Sequence, residues 1–346
     1  MKKLLLLLLT TPFVCLAQIP QYYSTVDFSL TGNALKNQLA TLITDTHTTQ
    51  LIYTPDVWTA LKQTDLDPEN PNNVLLIYGY DDTDTNVSND RSRSKDLSCH
   101  TSSCSGLWVR EHVYARSLGT PNLGFEFAGS DAHHLRAIDN SMNNSRSNRV
   151  YTDDTGNAHT LPNDQFYPGD EWRGDVARMV MYMYVRYGSQ CLATNIGTGS
   201  TSYSIYGDMP NVFLEWNQED PVSDYERNRN NILQQMQGNR NPFIDNPYLA
   251  TILWNGPQAN DTWGLLSAPS EDLAQIIAYP TVTTGVVTIK NTQNIVYTYT
   301  LYNTLGQNAI LEVQNDVLNI EKNAEGMYFL TVSDGVKSRT IKLLKQ

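Results

Sequence analysis

Apolar residues recur at helical spacing over Phe28–Thr44 and again over Pro55–Leu66, so the first part of the chain predicts two amphipathic helices. A continuous apolar run follows, Asn73-Val74-Leu75-Leu76-Ile77-Tyr78-Gly79-Tyr80, and reads as a buried strand. From Asp170 to Tyr187 the apolar positions cover most of a helix circumference, which predicts a core helix whose methionines fill packing gaps. The pattern changes near Leu266 to Tyr279. Beyond it, Gly285–Ile289, Val296–Leu301 and Met327–Val332 alternate with a period of two between turn residues, the signature of a small all-β unit. That region has no histidine and no cysteine, so any catalytic chemistry is expected upstream.

The amino terminus has a different character. Lys2 and Lys3 precede the apolar run Leu4–Leu9, which continues through Phe13 and Val14 to a small residue at Ala17. This is the layout of a cleaved secretory signal over 1–17, and it is too short for a comfortable bilayer span. Cys15 raises lipidation, but Val14 is bulky where such processing wants a small residue. No later segment has about eighteen consecutive apolar residues, so no stable membrane insertion is expected of the mature chain. A length of 346 residues suits two domains, expected at 18–268 and 269–346. Of the cysteines left after the signal, Cys99 and Cys104 lie in a Ser-rich, turn-like stretch and are expected to pair locally, leaving Cys191 over. His100 between them admits a zinc site, though without the paired ligands that such a site uses.

The formal net charge of −12 weakens long-range attraction to a polyanion but leaves room for a locally basic cleft. Arginines cluster from Arg91 to Arg149 and recur at Arg227, Arg229 and Arg240, which predicts modest affinity for nucleic acid with strong salt sensitivity. The run Arg91–Lys95 is an exposed face or a polyanion contact. The acidic loop Asp81–Asn86 fails as a calcium loop, since Val87 stands at the turn position that needs glycine and Arg93 where a bidentate glutamate belongs.

Candidate chemistry lies in Trp108–Val113, Ser130–Arg136 and Asn143–Asn148. Hydrolysis of a phosphodiester needs a base for water, charge on the phosphoryl oxygens and help for the leaving oxygen. His112 can take a proton near neutral pH, and Glu111 and Asn143 offer hard oxygen ligands in the sparse set that Mg2+ prefers, with Mn2+ or Ca2+ as alternatives. Arg146 is the expected catalytic cation on a phosphate oxygen, and Arg110, Arg136 and Arg149 are candidate contacts to the substrate. Neighbours on a regular strand point to opposite faces, so Glu111 and His112 can share a cleft only at a strand end, bulge or turn. A second strand around His133–Ala137 and a short helix over Asp139–Asn148 would complete a ββα unit. That helix is Asn- and Ser-rich and needs tertiary support. His133 and His134 are expected to serve as scaffold, as is the turn-rich run Gln237–Asp245. A zinc phosphoesterase using His112, His133 and His134 is a weaker alternative.

With Arg110-Glu111-His112, Asp131–Arg136, Asn143–Asn148, Gly174–Arg178, Glu215–Ser223, Arg229–Asn231 and Gln237–Asp245 in this order, most of Leu75–Trp254 resembles the bacterial endonuclease I family, whose core is a His-Me finger, or ββα-metal, nuclease. The resemblance implies His112 as general base, Glu111 and Asn143 on a metal ion, and Arg146 in a structural or phosphate role. It also implies cleavage of DNA, and often RNA, with little sequence preference and 5′-phosphate products. Ala115 and Ala137 stand where that family commonly has proline. The tail, Ile276–Gln346, resembles the carboxy-terminal sorting domain of type IX secretion substrates through Tyr279–Gly285, Leu301–Gln307, Gly326–Tyr328 and the basic end Lys337–Lys345, although Thr281-Val282 departs from the usual Asn-Pro. The expected fold is α+β, an endonuclease I-like nuclease domain followed by a small all-β, Ig-like sandwich. The chain is expected to be a secreted monomer exported through the periplasm by the type IX machinery, with attachment to the cell surface as the alternative to release. Its alternatives are an inactive extracellular binding protein on a nuclease fold and a carbohydrate- or matrix-binding tail.

Overall fold

The computed structural model describes residues 19–101, 103–267, 276–290, 297–314, 317–333 and 338–346. The signal expected over 1–17 and the boundary expected at 268–269 lie outside the described residues. The chain divides into two compact units, 1–264 and 265–346. Among the described residues, no helix is long and apolar enough to cross a membrane.

In the first unit, α1 (Gly32–Thr46) and α2 (Asp56–Thr64) carry the two predicted amphipathic patterns, with Leu35, Leu39 and Ile43 buried on α1. The expected strand over 73–80 is shorter: β1 (Asn73–Leu75) pairs with β2 (Ser92–Ser94). The chain then leaves the ladder because Tyr78 adopts a left-handed conformation, φ 69°, and turns its ring into the interior. Gly79 follows where the backbone passes so close to Asp90 that an added Cβ would meet its carbonyl oxygen at 2.1 Å.

Next come β3 (Trp108–His112) and β4 (Leu135–Asp139), paired antiparallel with Glu111 opposite Arg136 and His112 opposite Leu135. Helix α3 (Asn140–Arg146) packs on both strands. Its poor intrinsic propensity is offset by Asp139, whose Oδ1 accepts from Ser141 N at 2.6 Å and Met142 N at 3.0 Å while Oδ2 accepts from Arg93 Nη1 at 2.6 Å. The three form the expected ββα unit. Strands β5 (Val150–Tyr151), β6 (His159–Leu161) and β7 (Gln165–Tyr167) make a small sheet in the order β5-β7-β6. The predicted core helix is α4 (Arg173–Tyr187), buried continuously from Gly174 to Val185. It packs against α1, α5 (Asn211–Glu219) and α7 (Pro242–Asp245). Helix α6 (Asp224–Gln237) starts with a capping box between Ser223 and Glu226 and packs on α2, and α8 (Tyr248–Trp254) closes the unit.

Charged groups hold this core as much as apolar ones do. Asp65, which caps the end of α2, has no exposure to water. Its Oδ2 accepts from Ala137 N at 2.7 Å and Arg136 Nε at 3.3 Å, and its Oδ1 from Thr64 Oγ1 at 2.8 Å and from Arg229 Nη1. Arg229 also donates to the carbonyls of Ala132 and Leu135. Arg178 makes a two-toothed pair with Glu226, at 2.6 and 2.9 Å. The Gln237–Asp245 run is structural as expected: Gln237 accepts from Ala132 N, Asn239 donates to Tyr182 Oη, and Asn241 caps α7 while donating to Arg178 O. His133 and His134 donate to the carbonyls of Asn239 and Ala128 at 3.2 and 2.8 Å. Both are fully buried, and burial lowers each imidazole to about 4, which keeps them neutral scaffold groups.

Cys99 and Cys104 form a disulfide just before β3, and Cys191 is a buried free thiol. In the second unit, β8 (Ile277–Tyr279), β10 (Val286–Lys290), β12 (Glu312–Gln314) and β13 (Val317–Asn319) form one sheet in the order β12-β13-β10-β8. The other has β9 (Val282–Thr283), β11 (Thr298–Asn303), β14 (Gly326–Ser333) and β15 (Ser338–Lys345) in the order β11-β14-β15-β9. Alternate residues of β10 and β14 point into a core that includes Val287, Ile289, Leu318, Leu330 and Leu343, as the period of two predicts.

Removing one partner of a buried ion network leaves the others uncompensated, so Asp65→Ala is expected to destabilise the first unit by about 3–5 kcal/mol. The exposed Arg227–Asp224 pair is the control, and Arg227→Ala should leave the urea midpoint where it is. Equal midpoints for the two variants would show that the network is not what holds the hairpin.

Candidate active site

Strand β3 ends at His112, and that end is what lets adjacent residues meet. Glu111 lies on the face that carries Tyr78 and Arg146, while His112 lies on the face that carries Tyr53, yet both line one open pocket of about 500 Å3. Asn143 and Arg146, three apart on α3, bring the helix to the same pocket, and Arg110, Arg116 and Tyr53 line it as well.

His112 Nε2 donates to the carbonyl of Gly129 at 2.9 Å, which leaves Nδ1 as the acceptor of the ring. Burial holds the imidazole well below its usual range, His134 beside it lowers it further, and the Gly129 carbonyl opposes both. Tyr53 stacks on the ring at 5.5 Å. A neutral histidine with one nitrogen pinned and the other open is built to take a proton.

Burial raises the Glu111 carboxyl to about 7, opposed by the charge of Arg146 and by the hydrogen bond from Tyr78. Both of its side-chain partners sit on Oε1, Tyr78 Oη at 3.2 Å and Arg146 Nε at 3.4 Å. Tyr78 is itself held by Tyr151 Oη at 2.6 Å. A buried carboxyl so hard to ionise is short of positive charge. With the Asn143 amide in the same pocket, it makes a hard-oxygen donor pair that fits a divalent cation keeping most of its waters.

The arginines divide differently from the sequence expectation. Arg136, expected at the substrate, has no exposed surface and is committed to Asp65, Asp175 at 2.9 Å and Tyr225 Oη at 2.8 Å. Arg146 lines the pocket but is only 1 % exposed, with Nη1 on Ser147 O, Nη2 on Val113 O and Nε facing Glu111. Its donors position Glu111 and the backbone after the strand, leaving no fork for a phosphate. Arg149 bonds the Ser145 carbonyl and does not line the pocket. Arg110 does line it, with its guanidinium over the Tyr53 and Trp58 rings at 3.5 and 4.2 Å and Nη1 donating to Tyr53 O and Thr54 Oγ1. Arg116, Tyr53, Tyr78 and Tyr151 were not anticipated. Arg116 lies four residues past His112 in the arginine-rich stretch, a signal that was there to read. The tyrosines come from distant segments with no local signature.

The arrangement has known relatives. The Endonuclease I family model matches residues 31–248, starting well before the motifs and including both α1 and α2. The chain belongs to the endonuclease I family, and its first unit is a nuclease. The Secretion system C-terminal sorting domain matches residues 277–346, so the second unit is the export address that its tail motifs suggested, and the protein is secreted. An extracellular ribonuclease of Bacillus subtilis (strain 168) is 42% identical over 260 residues, covering 72% of this chain and 83% of that protein. An extracellular ribonuclease of Bacillus amyloliquefaciens is 41% identical over 235 residues, covering 64% and 74%. Endonuclease I enzymes are typically metal-dependent, in keeping with the Glu111 and Asn143 oxygen pair.

The Gly129 hydrogen bond fixes a tautomer that can be measured. In long-range 1H–15N spectra at pH 7, the His112 ring should carry its proton on Nε2 and none on Nδ1, and a proton on Nδ1 would remove the proposed base.

Proposed function

We propose that this secreted nuclease hydrolyses phosphodiester bonds in DNA and RNA, with a divalent cation, Mg2+ before Mn2+ or Ca2+, held by Glu111 and Asn143. The observation that carries the proposal is the meeting of Glu111, Asn143 and the open Nδ1 of His112 in one pocket. Glu111 and Asn143 would hold this cation, which would supply positive charge against the negative charge developing in phosphodiester hydrolysis. His112 Nδ1 takes the proton of the attacking water, and the pinned Nε2 keeps the ring aimed. Attack in line with the bond to the 3′ oxygen gives a 5′-phosphate. Arg146 keeps Glu111 in place, and Arg110 and Arg116 supply the charge that meets the phosphate backbone. The relatives' name, extracellular ribonuclease, supports RNA as a substrate beside DNA. Nothing in the mechanism calls for a second copy, and the monomer is the working unit. The type IX machinery is its export partner.

The test is to incubate the mature chain with supercoiled plasmid and with single-stranded RNA, with and without magnesium. Cleavage of both is expected, lost in EDTA and regained with added metal, and His112→Ala should lower kcat by about 10²–10⁴-fold, the usual worth of a general base. Glu111→Gln should raise the magnesium concentration needed for half activity. Persistent cleavage in EDTA would remove the metal from the mechanism. With Arg110 and Arg116 as the cations facing the backbone, log kcat/KM should fall against log salt with a slope of about −2. A slope several times steeper would mean that arginines outside the pocket also hold the polymer.

A further inference from the structure

A second pocket, of about 460 Å3, lies beside the catalytic one and shares the Tyr53 wall with it. Ile52, Phe125 and Phe127 line it and are 63, 52 and 66% exposed, an apolar surface that a monomer rarely leaves open without a use. Glu126 lines it as well, and among the described residues no lysine or arginine does. The two pockets therefore divide their chemistry, with cations on the catalytic side of Tyr53 and rings on the other.

The aromatic loop is firmly held. Phe127 sits at φ 49°, Gly129 N donates to Glu126 O at 2.9 Å, and Ser130 N donates to Phe127 O at 3.1 Å. Gly129 is packed so closely that an added Cβ would come within 2.3 Å of Gly124 O. The carbonyl of this same Gly129 orients His112, and the neighbouring Ala128 carbonyl holds His134. The Phe125 ring lies 4.8 Å from Tyr53 and has the Arg116 guanidinium 3.9 Å over its face. The segment that aims the base thus also displays rings next to the cations that face the phosphate.

We propose that this second pocket is a nucleobase subsite, in which the base of a nucleotide beside the scissile phosphate leaves its stack and lies against Ile52, Phe125 and Phe127. Among its lining residues a phosphate would meet Glu126 and no cation, whereas an uncharged planar ring meets aromatic faces, and every base has such a face. This rests on the phosphodiesterase reading of the catalytic pocket. A base in a duplex is already stacked and paired, so the subsite favours single strands, loops and ends over regular duplex.

The experiment compares the full chain, the Phe125→Ala/Phe127→Ala variant and Phe127→Trp on a short single-stranded oligonucleotide and on its duplex, with magnesium. The ratio of kcat/KM for single strand over duplex should fall roughly 5- to 100-fold in the double variant, the range for losing a stacked base, and stay high in Phe127→Trp. Single strands lacking the base on one or the other side of the cut should be poor substrates for the wild type on one of those sides, while the double variant no longer discriminates. A ratio within twofold of wild type, or a wild type indifferent to both missing bases, overturns the subsite while duplex cleavage still supports the nuclease. If the wild type cleaves neither polymer, the reading of the catalytic pocket fails and the subsite falls with it.

Discussion

Asp65 carries a charge with no access to water, and the placement of the catalytic hairpin follows from how that charge is met. Two arginines from different elements, Arg136 on β4 and Arg229 on α6, converge on it together with the backbone amide of Ala137. Each would be costly to bury alone, and together they satisfy one another only if α2, α6 and β4 stand at fixed distances. Register then transmits the placement. With β4 fixed, β3 has Glu111 across from Arg136 and His112 across from Leu135, and the strand ends where the pocket opens.

The two candidate side chains at this strand end are tuned by the same burial in opposite directions. Withdrawal from water keeps the imidazole of His112 neutral, as the proposed base must be before it acts. Withdrawal also raises the carboxyl of Glu111, leaving a group whose ionised form needs a positive partner beyond Arg146. One desolvated strand end thus holds a neutral imidazole beside a carboxyl short of positive charge, and Tyr78, turned inward by its left-handed backbone, helps to seal it.

Much of this was legible in the residues. Spacing alone placed α1, α2 and α4 to within a few residues, because their apolar stripes are long, and strand alternation required the break that β3 makes at His112. The ordered motifs carried the family and the tail. What escaped were properties that depend on distant partners. The run at 73–80 has the composition of a full strand, but Tyr78 turns out of the ladder to reach Tyr151 and Glu111. Helix α3 depends on Asp139, whose cap is braced by Arg93, a residue 46 positions away. Arg136 and Arg146 look in sequence like surface cations, because nothing local tells a buried guanidinium from a solvated one. Tyr53 joins the site only through tertiary packing.

Arg93, Arg136, Arg146, Arg178 and Arg229 are all buried. Guanidinium groups that hold an interior together cannot also hold a polymer, and the remaining surface belongs to a molecule of net charge −12. Its long-range attraction for a polyanion is correspondingly weak, and the basic side chains that line the pocket act at close range.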